Sequence, residues 1–172
     1  MCLILLAKEP SDEYKFVMAS NRDEFYSRPT KSAHWWENPI DLLAGKDLEQ
    51  GGTWMGISKK GKFAAVTNVR DFYTKDYLEK NFLSRGDLVR NFFTSDIDSD
   101  EYQNSLDYKN YLGFNLVLYN QDKINICSSP GKVSLSNFIS LLSFFSLRRN
   151  HFCSCPLNLP PKTLDLIVFG IS

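Results

Sequence analysis

Met1-Cys2-Leu3-Ile4-Leu5-Leu6-Ala7 opens the chain, and Phe16-Val17-Met18-Ala19-Ser20 runs into the polar knot Asn21-Arg22-Asp23-Glu24. The two apolar runs read as strands paired side by side, the second ending abruptly in four side chains able to hydrogen-bond or carry charge. Cysteine is small enough for an initiator methionine before it to be trimmed. That trimming leaves a thiol and a free α-amino group on one residue, a nucleophile carrying its own base. An α-amine titrates near about pH 7.7–8.0 and a free thiol near about 8.5, so a proton passes from sulfur to nitrogen at little cost. Pairing of the two strands would bring Arg22 and Asp23 near that amine. The same residues also suit a buried strand start at Cys2 and a solvated turn at Asn21 to Glu24, and spacing alone leaves both readings open.

Composition narrows the partners. A chain of 172 residues, 43% hydrophobic and 14% aromatic, suits one globular domain with a core. Its 20 basic and 20 acidic residues cancel without long runs of either sign, which argues against a nucleic-acid groove or a polybasic membrane patch. Small neutral or amphipathic molecules stay open as partners. The opening apolar run lacks a basic flank and soon meets Lys8 and Glu9, so no secretory signal is expected. Phe138 to Leu147 is interrupted by serines and falls short of the roughly 20 apolar residues of a spanning helix. The expectation is a cytoplasmic protein with no transmembrane segment. Four cysteines, Cys2, Cys127, Cys153 and Cys155, are too few and too unevenly placed for a disulfide framework. His151, Cys153 and Cys155 are spaced too tightly for a zinc knuckle and have no second ligand pair, so neither a metal nor a cofactor is implied.

Further along, Phe25-Tyr26-Ser27-Arg28-Pro29 breaks regular structure at the proline, and Lys31 to Trp36 reads as a long surface excursion. Trp35 and Trp36 suit a pocket mouth or the edge of a core. Gly51-Gly52 permits positive φ or a close approach but lacks the phosphate-loop spacing. Glu49 to Ser58 and Lys62 to Asn68, separated by Lys59-Lys60-Gly61, predict a hairpin. Asn68, ending its second strand, could donate to a developing oxyanion or cap a turn. Apolar positions 88, 89, 92 and 93 predict a helix with Asp87 near its start. The acidic stretch Ser95 to Glu101 begins a second, with Tyr102 and Leu106 inward. Phe114 to Tyr119 and Ile124 to Cys127 predict another hairpin, and Val133 to Asn137 a short strand ending in asparagine.

Met1-Cys2 with its apolar strand, Ala19 to Pro29, Gly51 to Ser58, Tyr111 to Leu116 and Leu135-Ser136-Asn137 together resemble the transport and Golgi organisation 2 family, also called the NRDE family. The resemblance covers about residues 1–137. It implies an α+β, N-terminal-nucleophile-hydrolase-like αββα sandwich of two antiparallel sheets, in a cytoplasmic protein associated with Golgi organisation, secretion, mitochondria and lipid or haem handling. A more distant similarity, to choloylglycine hydrolases and penicillin V acylases, implies Cys2 as nucleophile, Asp23 orienting its amine, and Asn68 and Asn137 as oxyanion or substrate-amide donors. Arg22 would lower the thiol pKa by its charge, although its offset from Asp23 departs from the acylase pattern. Asn21 and Trp54 join these as substrate-binding candidates.

After Asn137 the chain departs from the family pattern, so residues 138–172 read as a divergent tail and the sandwich as incomplete. Three functions follow: a trafficking or binding protein holding a small hydrophobic or amide-containing molecule such as an acyl conjugate or haem; a Cys2-dependent hydrolase of non-peptide C–N amide bonds; or an inactive truncated isoform.

Overall fold

Strand alternation organises the fold. A computed structural model describes residues 3–22, 24–37, 40–69, 81–120, 123–129, 138–140 and 167–171. The chain divides into two compact units, one of Met1–Asp23 with Leu135–Ser172 and the other of Glu24–Ser134.

The first unit is a four-stranded sheet in the order β10-β2-β1-β9, with β1 Leu3–Ser11, β2 Tyr14–Asn21, β9 Phe138–Ser140 and β10 Ile167–Ile171. β1 and β2 form an antiparallel hairpin, as the opening runs predict, with Leu3 opposite Asn21, Ile4 opposite Ser20 and Leu6 opposite Met18. The register shifts between Lys8 and Ser11, where Glu9 takes φ 48°, the left-handed conformation that a bulge imposes on one residue. On β2 the side chains of Phe16, Met18 and Ser20 are buried while those between them are half-buried, the period of two expected of a strand. β10 pairs antiparallel with β2, and β9 pairs parallel with β1, a departure from the purely antiparallel sheets expected.

The second unit is a six-stranded antiparallel meander in chain order, from β3 Thr30–Trp35 through β4 Leu43–Asp47, β5 Met55–Ile57, β6 Phe63–Asn68 and β7 Phe114–Asn120 to β8 Lys123–Ser129. β5–β6 and β7–β8 are the two hairpins read from the sequence. Residues 63–67 of β6 and 114–119 of β7 are buried on both faces, because these strands are central and apolar at every position but Thr67 and Asn115. Lys31 to Trp36 is not the surface excursion expected. Most of it is edge strand β3, paired with β4 and largely exposed. An edge strand with polar and aromatic residues on its free side shows no apolar alternation, and its pairing partner lies downstream in the chain.

One face of the meander carries two helices, α1 Arg85–Thr94 and α2 Ser99–Ser105, followed by a 3-10 turn, Tyr108–Asn110. Leu88, Val89 and Phe92 of α1 and Tyr102 of α2 join Val66, Phe114, Leu116 and Cys127 in one core. Asp98 caps α2 by accepting from the Asp100 and Glu101 N–H groups at 2.8 and 2.9 Å, which explains why the acidic stretch starts a helix. Tyr102 Oη donates to the Leu88 carbonyl at 2.6 Å and ties the helices together, and burial pushes its pKa up.

Gly51 and Gly52 take the close-approach role. Gly51 adopts φ 72°, and a Cβ on Gly52 would stand 2.7 Å from the Gly86 carbonyl carbon at the start of α1. Two glycines facing each other let helix and loop touch backbone to backbone. Lys62 lies across the end of α1, its Nζ donating to the Ser95 carbonyl at 3.1 Å and sitting 5.0 Å from the Phe92 ring centroid. Burial lowers its pKa, and the stem is packed while the ammonium satisfies terminal carbonyls. The short strand read over Val133 to Asn137 lies outside the described residues.

Candidate functional site

The β1–β2 register builds one end of the candidate site. Because Leu3 pairs with Asn21, the start of β1 and the end of β2 lie at the same end of the sheet. Asn21 and Arg22 are half-buried there. Ser20, the last inward residue of β2, is 2% exposed, and its Oγ has no hydrogen-bond partner. Cys2, Asp23 and Asn137 lie outside the described residues.

In the second unit, the continuation of the motif is anchored by an arginine that sequence reading left without a role. Arg28 donates from Nε and Nη2 to Asp47 Oδ2 at 3.0 and 2.6 Å and pairs with Glu49 through Nη1 at 3.1 Å. The hydrogen bond from Arg28 to Asp47 raises the arginine's pKa. For Asp47, burial pushes upward, but the bonds from Arg28 and from the Glu49 N–H prevail and hold the carboxyl below its ordinary range. The Arg28 N–H closes a turn on the Phe25 carbonyl, which leaves Phe25 and Tyr26 81% and 71% exposed. The turn is therefore held by its base, while its aromatic tip faces solvent.

Asn68 ends β6 opposite Phe114 and is exposed. Trp54 is half-buried and packs against the helix-side core, and its carbonyl accepts the Val66 N–H at 2.8 Å. One residue before Asn68, on the opposite face of the sheet, a polar row crosses three strands. Thr67 pairs with Asn115 and Asn115 with Ser128. Asn115, fully buried, donates from Nδ2 to Thr67 Oγ1 at 3.3 Å and accepts a hydrogen bond from Ser128 Oγ.

Asn21 and Arg22 are thus neighbours at one strand end, while Asn68 and Trp54 stand in the other unit. Ser20, Arg28 and Asn115 are the residues that sequence reading missed. The signal for Ser20 was present: in Phe16, Met18, Ser20 a hydroxyl occupies a position that alternation reserves for apolar side chains. Asn115 was legible in the same way, as an amide inside the apolar run Phe114 to Tyr119. Among the described residues no group of three or more histidine, cysteine or acidic side chains could hold a metal. Nor is any helix among them long and apolar enough to cross a membrane.

Residues 1–152 match the family model described as Transport and Golgi organisation 2. The chain is 42% identical over 126 residues to the Transport and Golgi organization protein 2 homolog of Homo sapiens, an alignment covering 68% of this chain and 44% of that protein. The Mus musculus homolog is 40% identical over the same length and the same shares. Transport and Golgi organization protein 2 of Drosophila melanogaster is 32% identical over 149 residues, covering 78% of this chain and 50% of that protein. The chain spans about half the length of these relatives. From the matched residues and the level of identity, the chain belongs to the Transport and Golgi organisation 2 family.

Proposed function

We propose that the chain is a cytoplasmic trafficking-associated protein that uses an N-terminal-nucleophile-hydrolase-like scaffold to hold a small hydrophobic or amide-containing molecule, an acyl conjugate or haem being the leading classes. The observation that supports this reading is the β1–β2 register, which sets Leu3, the residue after Cys2 in the sequence, against Asn21, the first residue of the Asn21-Arg22-Asp23-Glu24 motif. The relatives' names support a link to Golgi organisation. Secretion and mitochondrial association belong to the same proposal. So does the division into a hydrolase-like part over residues 1–137 and a divergent tail over 138–172. In this reading Asn21 and Trp54 contact the ligand, Arg22 adds its positive charge near the Cys2 thiol, and Asn68 and Asn137 supply amide donors.

The test is a spectroscopic titration of the purified chain with haem and, separately, with a fluorescent long-chain acyl conjugate. Saturable binding that survives Cys2→Ala and is lost in Asn21→Ala is the expected result. Absence of saturation with both probes overturns it.

A second reading is favoured by the same register together with the residue at position 2. With Met1 removed, the Cys2 thiol passes its proton to the α-amine, and sulfur attacks a substrate amide carbonyl. The amine returns the proton to the departing nitrogen, and water then cleaves the thioester to free the acid and regenerate the thiol. Asp23 orients the amine, and Asn68 and Asn137 donate to the oxyanion. Turnover of a panel of linear amides that vanishes in Cys2→Ala would put this reading first.

A further inference from the structure

Phe25 and Tyr26 are 81% and 71% exposed, more than any other large apolar side chain among the described residues. Leu48, whose N–H donates to the Pro29 carbonyl at 3.0 Å, is 54% exposed beside the same turn. Single exposed apolar residues are ordinary, whereas a group of them at one turn calls for a partner. The turn is also firmly held. The Arg28 N–H closes it on the Phe25 carbonyl, and the Arg28 guanidinium grips Asp47 and Glu49. Fixing the base removes the ordering cost that a loose loop meets on binding, so the aromatic tip is presented ready to be buried.

Charge at the foot of the turn is segregated. The acidic side chains gather on Arg28, which Asp47, Glu49 and Glu24 all act upon, the Asp47 hydrogen bond most strongly. The basic ones gather apart from them. Thr30 pairs with Asp47 and Lys31 with Lys46, so two lysines stand directly opposite each other on β3 and β4. Like charges in that position repel. Neither lysine has an ion pair among the described residues, and Lys46 Nζ sits 5.0 Å from the Trp36 ring centroid instead.

We propose that the Phe25–Tyr26 turn and the Lys31–Lys46 pair form a docking surface for an anionic phospholipid bilayer. Phe25, Tyr26 and Leu48 enter the interfacial layer, and the two ammonium groups meet lipid phosphates. Aromatic side chains settle at headgroup level, and lysines near the surface are drawn to anionic lipid. The other occupant that a free sheet edge invites is a partner strand. β3 is built against that, with its register shift between Lys31 and His34 and a lysine in the paired position before it. Lys31 and Lys46 are well separated in the chain, so no basic run marks the patch, and only strand pairing brings them together. The surface is independent of Cys2 and of the proposed ligand.

The experiment is co-sedimentation of the full chain with vesicles of phosphatidylcholine alone and of phosphatidylcholine with about 30% phosphatidylserine, with the melting temperature of each variant. Partition onto the anionic vesicles should be about 5- to 20-fold stronger than onto the neutral ones. Phe25→Ser combined with Tyr26→Ser should weaken binding to both by about 10-fold or more. Lys31→Gln combined with Lys46→Gln should abolish the preference for anionic vesicles while leaving the melting temperature equal or higher. Tyr26→Trp keeps the aromatic tip and should add fluorescence that brominated acyl chains quench.

No partition onto either vesicle overturns the proposal, as does binding that none of these substitutions moves. Added fluorescence in Tyr26→Trp that stays unquenched on bound vesicles overturns it too, even if the serine variants fail to fold. Displacement by soluble dihexanoyl-phosphatidylserine assigns the lysines to a single headgroup. Self-association in lipid-free buffer that the serine variant abolishes assigns the tip to a second copy. Either of those results also overturns the bilayer as partner.

Discussion

The two units treat buried polar side chains differently. In the six-stranded unit Thr53, Ser58, Thr67, Ser99, Asn115 and Ser129 are all buried, and each has a hydrogen-bond partner. In the four-stranded unit Ser20 is buried to the same degree and has none. Burial without a partner costs free energy, so the Ser20 hydroxyl imposes on the first unit a local cost that these six side chains do not impose on the second. The second unit is covered by helices on one face of its sheet, and its one comparable atom among the described residues, the buried Asp87 Oδ1, lacks a hydrogen bond but lies 3.0 Å from the Arg90 Nη2 cation.

That contrast can be broken at several points. The most damaging change removes the scaffold itself: Phe92→Ala empties a fully buried position between Tyr102 and Phe93 and should cost about 3–5 kcal/mol in denaturant unfolding. A loss below about 1 kcal/mol would mean that the helix-covered face is not where stability resides. Next comes Gly52→Ala, whose added methyl meets the Gly86 backbone, with roughly 1–3 kcal/mol lost as α1 is pushed off the loop. Pairing Gly52→Ala with Gly86→Ala should give a strongly non-additive loss, since both report one contact.

The polar row sharpens the comparison directly. Asn115→Ala strips a partner from the buried Thr67 hydroxyl and the half-buried Ser128 hydroxyl and should destabilise by about 1–3 kcal/mol. Ser20→Ala, by contrast, should leave the melting temperature level or raise it. Two polar-to-alanine changes of opposite sign in one protein would establish the difference, and two losses of equal size would abolish it.

A smaller effect comes from Arg28 and Asp47. The Asp47 carboxyl is held below its unfolded value, so its contribution is complete above about pH 4 and is lost as pH falls through the lowered folded value. Arg28→Met should remove that dependence and flatten the acid limb of the stability curve by at most about 1 kcal/mol, since the pair is partly solvated. An acid limb unchanged by the substitution would assign it to other carboxylates.

Much of the scaffold was legible in the sequence. The β1–β2 pair, both later hairpins and both helices follow from local periodicity and turn chemistry, because neighbouring strands in a meander are close in the chain and each carries its own apolar face. The residues of the motifs likewise identified the family. The candidate site was less legible. The pairing that was expected to bring Arg22 and Asp23 near the Cys2 amine is seen only as far as Leu3 opposite Asn21, and Arg28 carries no mark in the sequence of its bond to Asp47, 19 residues away.

What the sequence determined alone, then, is the set of strands and helices and the polar motif at the end of β2, since propensity, alternation and capping act over a few residues. Tertiary structure decided the rest: β3 as an edge strand, the backbone contact of Gly52 with Gly86, the row from Thr67 through Asn115 to Ser128, and the isolation of the Ser20 hydroxyl. Each of these depends on which distant residue stands opposite, and the partner of a strand or of a hydroxyl is chosen by the packing of the whole unit.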